Sequence, residues 1–251
     1  MTIYSYSKLK CYRQCPRKYK FRYIDKIRTE IKENVELFLG KRVHETLKKL
    51  YRDLWYQKTN TLNNLLDFLC NKWHSKWNES IVIVKKRYTQ EYYLRVAKRC
   101  ITDYYHRYYP FDQTRTITLE KRILVDLNGN RDYKLCGYID RVTKTKDGCY
   151  EIHDYKTSSR LPSLEYIQND RQLAFYAIGI KERYPNVNKV RLIWHFLKFD
   201  REIRLFRTDK ELEELKNNTI QLIDTIESDE KYPANPSVLC DWCKFKSICN
   251  Y

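Results

Sequence analysis

Residues 137–158 read GYIDRVTKTKDGCYEIHDYKTS, two strand-forming runs on either side of Lys146-Asp147-Gly148. A three-residue loop with glycine at its left-handed position makes a tight hairpin. Thr145 then pairs with Cys149, and counting back puts Asp140 directly opposite Asp154. Side chains alternate along a strand, so Lys156 shares the face of Asp154, whereas His153 points to the other face. A two-residue loop would move the register by one and separate the aspartates. Carboxylates facing each other repel unless a cation lies between them, and a hard divalent ion such as Mg2+ or Mn2+ suits them. A lysine beside that ion can orient or deprotonate a water, and can stabilise charge on a phosphate in the transition state. The plainer alternative is an ordinary Asp–Lys ladder on a surface hairpin, which is worth little. Three charged groups converging on one face beside an apolar run favour a site.

The flanking patterns place the hairpin in a mixed architecture. Residues 4–27 mix aromatic and basic residues and read as short helices broken near Pro16. In ELFLGKRVHETLKKLYRDLW, Leu39, Val43, Leu47, Leu50 and Leu54 recur at helical spacing. Helices follow over Leu62–Trp77 and Glu91–Tyr108, the latter ending before Pro110. Thr114–Leu127, Arg131–Thr145 and Cys149–Lys156 read as a three-strand meander, with turns at Asn128-Gly129 and Asp147-Gly148. A helix from near Ser163 through Gln172 and Tyr176 comes next, then strands at Lys189–Lys198 and Arg201–Phe206, and a helix over Lys210–Glu227. The expected fold class is α/β (α+β), with a central mixed sheet flanked by helices. We divide a single domain, 1–251, into a helical N-terminal part (1–112), a sheet core (113–208) and a C-terminal helix with a cysteine-bearing tail (209–251).

Charge narrows the function classes. Against 32 Asp and Glu stand 49 Lys and Arg, a formal net charge of +17. The usual cause is a polyanionic partner, because each neutralised phosphate releases counterions. The basic residues are spread along the chain rather than gathered on one amphipathic helix, which argues against a membrane surface. No run of apolar residues is long enough to span a bilayer, and MTIYSYSKLK lacks the apolar core of a signal peptide, so a cytoplasmic chain is expected. In that compartment nine cysteines point to free thiols or metal ligands before disulfides.

At the hairpin the chain resembles the PD-(D/E)XK nuclease superfamily, and within it the RecB-like nucleases. Gly137 to Asp140 matches that family's Gly-x-x-Asp, and Asp154-Tyr155-Lys156 its acidic-x-Lys. Gln172 and Tyr176 match its Gln-x-x-x-Tyr, and Gly40 to His44 its upstream Gly-x-x-x-His. Each motif alone is weak; four in the family's order, across most of the chain, are specific. The resemblance implies a restriction-endonuclease-like core in which Asp140 and Asp154 hold the metal with help from His44. It implies that Lys156 acts on the nucleophilic water, and that Gln172 and Tyr176 contact DNA or support the site. Glu120, in the preceding strand, is read as a surface glutamate or a further acidic ligand. His74, His106, His153 and His195 receive no role.

Cys240, Cys243 and Cys249 form C-x2-C-x5-C at the end of the chain, and three thiolates need a fourth ligand. RecB-like nucleases of the AddB type, and similar CRISPR-associated nucleases, hold a 4Fe-4S cluster with one cysteine ahead of the core and three after it. That implies Cys15 as the fourth ligand, with Cys11, one helical turn away, as the alternative. Zinc is the rival metal, because the same thiolates suit it. Cys70, Cys100, Cys136 and Cys149 read as ordinary core or strand positions. The expectation is thus a Mg2+- or Mn2+-dependent deoxyribonuclease, an exonuclease on single strands or ends, working in repair or a CRISPR-like role. A helicase or another nucleic-acid-processing protein is the expected kind of protein partner. A non-catalytic nucleic-acid-binding module with a structural iron–sulfur or zinc site is the alternative, and a zinc-stabilised RNA-binding protein a weaker third.

Overall fold

A computed structural model of the chain describes residues 2–28, 33–127, 133–184 and 186–250, apart from the side chain of Trp242. The Asn128-Gly129 turn and the Arg131 strand start expected from sequence lie outside these residues. The elements in order are β1 (Thr2–Ser5), α1 (Tyr6–Gln14), α2 (Pro16–Tyr19), β2 (Glu33–Asn34), α3 (Val35–Trp55), α4 (Leu62–Lys76), β3 (Ile81–Val82) and α5 (Gln90–Tyr108). There follow β4 (Arg115–Asp126), β5 (Tyr133–Lys144), β6 (Tyr150–Lys156), α6 (Leu164–Gln168), α7 (Gln172–Arg183), β7 (Val190–Phe196), β8 (Arg201–Leu205) and α8 (Asp209–Ser228). The sheet runs β1-β5-β6-β7-β8, with β4 also paired to β5, and mixes parallel and antiparallel neighbours. It is a mixed α/β fold with a central sheet flanked by helices, as the restriction-endonuclease-like expectation requires. Among the described residues no helix is long and apolar enough to cross a membrane.

Polar side chains start these helices by accepting the N–H groups that a first turn leaves unpaired. Asn34 accepts from Leu37 N and Thr89 from Tyr92 N; Thr61 and Thr208 each form a reciprocal capping box, with Asn64 and Glu211. The expected helix from Ser163 through Tyr176 is two. Asn169 to Arg171 break it, and Asp170 Oδ1 accepts the Gln172 N–H at the restart. Two further differences are the short strand β1 and the two-residue pair β2–β3, elements too brief to leave an alternation pattern.

The chain forms two compact units, and β4 and β5 run from one into the other. The first comprises residues 1–31, 123–137 and 208–251. In it β1 pairs in parallel with the start of β5, Thr2 beside Tyr133 through Ser5 beside Cys136. Tyrosine hydroxyls tie α8 and the residue after it to the rest of this unit: Tyr4 to Glu227, Tyr12 to Asp229 at 2.6 Å, and Tyr133 to Asp224 at 2.9 Å. The Tyr19 and Tyr232 rings stack with centroids 6.3 Å apart.

The second unit comprises residues 32–122 and 138–207. Val35, Phe38, Leu39, Val43, Leu47 and Leu50 bury one face of α3 against Leu65, Leu69 and Trp73 of α4 and Ala97, Cys100 and Ile101 of α5. Full burial of each such side chain contributes about 1.5–3 kcal/mol. β6 is the central strand of this unit, antiparallel to β5 and parallel to β7. Its face carrying Glu151, His153 and Tyr155 meets α5, where the Tyr104 hydroxyl lies 3.3 Å from that of Tyr155. Polar groups survive burial here by pairing with one another. Glu151 meets Arg191 at 2.6 Å, and the two His153 nitrogens meet Thr143 Oγ1 at 3.0 Å and His195 Nε2 at 2.9 Å. The Arg141 guanidinium lies 3.7 Å over the Tyr51 ring. Burial holds both histidines well below the usual imidazole range. They are structural groups, behind the strand that carries Asp154 and Lys156 on its other face.

Candidate active site

The hairpin has the register expected from its loop. Gly148 sits at φ +87°, its N–H reaches the Thr145 carbonyl at 3.1 Å, and Thr145 N donates to Cys149 O at 2.9 Å. The ladder runs from Lys144–Tyr150 to Arg141–His153, so the next step places Asp140 opposite Asp154. There the ladder ends, and Asp140 Oδ2 accepts the Tyr155 N–H at 2.9 Å. Asp140 Oδ1 lies 3.2 Å from His44 Nδ1, while His44 Nε2–H donates to the Tyr155 carbonyl at 2.7 Å. α3 brings His44 this close because residue 40 is glycine: a Cβ there would lie 3.1 Å from Thr157 Oγ1.

Glu120, read from sequence as a surface glutamate or a further acidic ligand, stands in a grouping that could hold a cation. One ligand atom from each of His44, Glu120 and Asp140 lies within 4.8 Å of the others. Glu120 has φ +48° in the middle of β4, a left-handed backbone that interrupts the alternation by which strand side chains are assigned to faces. Nothing about a glutamate in a strand-like run announces such a kink. The backbone carbonyl of Tyr155, 2.7 Å from His44 Nε2, borders this grouping, and a carbonyl carries no residue-type signal at all.

The charges respond to this crowding. Burial disfavours the His44 imidazolium, but Asp140, Asp154 and the Tyr155 carbonyl outweigh it and push its pKa up to about 9. Burial, then Asp140, raises the Glu120 carboxyl. Burial also raises Asp154 against the pull of Lys156, with Asp140 adding to the rise. Lys156 Nζ lies 2.6 Å from Asp154 Oδ2, a close charge-assisted pair. Burial favours the neutral amine of Lys156, but Asp154, Asp170 and Asp140 together hold it as an ammonium, with its pKa above the usual lysine range.

Gln172 and Tyr176 stand behind the lysine. Lys156 Nζ donates to Gln172 Oε1 at 3.2 Å, and Gln172 Nε2 donates to Tyr176 OH at 3.1 Å. The i, i+4 spacing on α7 makes this relay. A cavity of about 560 Å³ opens on the site, lined by α3 from Glu36 to Lys48 and by Glu120, Asp140, Tyr155, Lys156 and Thr157.

In the first unit, Cys15, Cys240, Cys243 and Cys249 line one pocket, with Lys18, Asn235 and Lys246 between them. Cys15 Sγ accepts the N–H of Lys18 at 3.4 Å and of Asn235 at 3.5 Å, and Cys240 Sγ accepts that of Ser237 at 3.4 Å. Cys11 is buried and does not line the pocket; burial raises its thiol pKa.

Sheet, hairpin and paired acidic and lysine side chains define a restriction-endonuclease-like phosphodiesterase core. The family model of the PD-(D/E)XK nuclease superfamily matches residues 3–250, and the chain belongs to that superfamily. No curated protein matches it. Among solved structures, a Eubacterium rectale protein carrying a provisional exonuclease designation is similar over 98% of this chain and 89% of its own, with TM-score 0.51 and 13% identity. That likeness is one of fold. A structure designated SSO0001 aligns over 53% of this chain and 59% of its own, under two thirds of its length, at 20% identity and TM-score 0.38, and carries no weight here.

Proposed function

We propose that this protein is a metal-dependent deoxyribonuclease that hydrolyses phosphodiester bonds, working as an exonuclease on single strands or ends. The observation that carries the reading is the convergence of His44, Glu120 and Asp140 beside the Asp154–Lys156 pair. Hard oxygens with one imidazole suit Mg2+ or Mn2+, and carboxylates crowded together under burial favour a cation among them. His44, Glu120, Asp140 and Asp154, with the Tyr155 carbonyl, would hold it. When bound, such an ion lowers the pKa of water and offsets charge on a phosphate.

The chain's own groups do the remainder. Lys156, held charged by its carboxylate neighbours, stabilises the phosphate oxygens and orients the water, which favours an electrostatic role over that of a base. Gln172 fixes the lysine by accepting a hydrogen bond from it, and Tyr176 fixes Gln172, which favours support over direct DNA contact. The preference for ends follows the RecB-like motifs and the designation of the Eubacterium rectale neighbour. The test is a cleavage assay on end-labelled single- and double-stranded DNA with Mn2+, Mg2+ or EDTA. Metal-dependent loss of label from wild type and none from Asp154→Asn supports the reading; no cleavage with either metal overturns it.

Cys15, Cys240, Cys243 and Cys249 are proposed to hold a structural 4Fe-4S cluster. The shared pocket supports a common metal site, the backbone N–H groups that reach Cys15 and Cys240 suit metal-bound thiolates, and the resemblance to AddB-type nucleases favours the cluster over zinc.

A further inference from the structure

We propose that α3 is a backbone rail for a single strand, on which Lys41 and Lys48 hold the phosphates flanking the one at His44 and Asp140. The inference rests on the nuclease reading and adds to it the path and strandedness of the substrate.

Leu37, Lys41, His44 and Lys48 follow one another at spacings of four, three and four, which puts them on one stripe of the helix, and all four line the cavity. Lys41 precedes His44 by a rise of about 4.5 Å and Lys48 follows it by about 6 Å. Successive phosphates of a stretched single strand are separated by about one helical turn, and a lysine stem absorbs the difference. A strand lying along the α3 axis therefore presents one phosphate to each lysine while a third sits at the metal ligands.

Both ammonium groups are available. Lys48 is exposed and forms no ion pair within 4 Å among the described residues. Lys41 pairs with Glu33 at 2.7 Å; the glutamate is 17% exposed, but the lysine side chain is 53% exposed, so its ammonium can also reach a phosphate at the cavity rim. The cavity needs such cations. Glu36, Glu45, Glu120 and Asp140 also line it, and apart from His44 its basic lining groups are Lys41, Lys48 and Lys156. A polyanion entering this acidic lining is held where those ammonium groups stand. At about 560 Å³ the space is of nucleotide size, and its lysines follow one line along α3, which a single backbone can track.

The experiment measures binding of 5′-fluorescein-labelled (dT)12 by anisotropy, in EDTA and across a salt series, for wild type, Lys41→Gln, Lys48→Gln, the double variant and Lys58→Gln. Lys58 is exposed and away from the cavity. Each phosphate contact on a single strand contributes about 0.7 to the log–log salt slope. Each groove variant should lose about that much, the double variant about twice as much, and Lys58→Gln nothing. Neutral methylphosphonate linkages one step to either side of the cut should weaken wild type at both positions and each lysine variant at only one. Unchanged slopes, an equal loss in Lys58→Gln, or identical linkage profiles in wild type and variants would overturn the rail and leave cleavage to be judged separately. Failure of wild type to cleave would sink the nuclease reading, while lysine-specific slope losses would still support the rail.

Discussion

Lys156→Met tests how the central strand tolerates its acid. Asp154 is 7% exposed, and its Oδ2 meets Lys156 Nζ at 2.6 Å. Removing one partner of a buried pair costs about 3–5 kcal/mol, because the other charge stays buried without compensation. The Lys156 side chain is 32% exposed, so water screens part of the interaction, and the lower end, about 3 kcal/mol, is expected. Asp154→Asn should cost about 1 kcal/mol or less, since Lys156 still reaches solvent and the field of Asp170. In the double variant no buried charge is left, and stability should return to within about 1 kcal/mol of wild type, a coupling of about 2–3 kcal/mol. The pH dependence has a definite sign. With the lysine gone, burial and Asp140 hold the folded-state pKa of Asp154 above its unfolded value. The ionised carboxylate then destabilises the fold at neutral pH, and protonation relieves the deficit as pH falls through that raised pKa. Urea unfolding in EDTA at about pH 7.5 and about pH 5, with amide exchange of the β6 peptide as a local readout, measures both effects. Additive single variants, or a Lys156→Met deficit unchanged at the lower pH, would refute the reasoning.

Three other outcomes are expected. Glu120→Gln should weaken Mn2+ binding by about tenfold or more, measured by calorimetry, because it removes one of three clustered donors; wild-type affinity would return Glu120 to the surface role expected from sequence. With its pKa near 9, His44 must give up a proton before it can ligate, so Mn2+ affinity should rise about tenfold per unit from about pH 6.5 to 8.5 and level off above about 9. Calorimetry in buffers of different ionisation enthalpy should find close to one proton released near neutrality, and none would exclude His44 as the titrating ligand. Anaerobically purified protein should be brown, with iron and acid-labile sulfide in equal amounts, and Cys243→Ala should lower yield and thermal stability before activity; a colourless protein with stoichiometric zinc would keep the ligands and change the metal.

What was readable in the sequence was what short-range chemistry decides. Gly148 set the loop, the loop set the register, and the register put Asp140 across from Asp154 before any long-range contact was considered. Helical spacing placed Gln172 and Tyr176 on one face, and capping residues with apolar periodicity outlined α3, α4, α5 and α8. Local pattern carries no information on which distant segments meet, because pairing is selected by the whole fold. The parallel partnership of β1 with β5, and the gathering of Cys15 with three cysteines more than two hundred residues later, are of this kind. A resemblance suggested that second gathering, whereas spacing alone left Cys11 equally eligible. Tertiary structure also decided Glu120, whose left-handed backbone overrides the alternation that sequence reading relies on, and the Tyr155 carbonyl, a group every residue possesses. It converted Gln172 and Tyr176 from two letters of a motif into a hydrogen-bonded brace for Lys156, since only packing of α7 against β6 brings those atoms within reach.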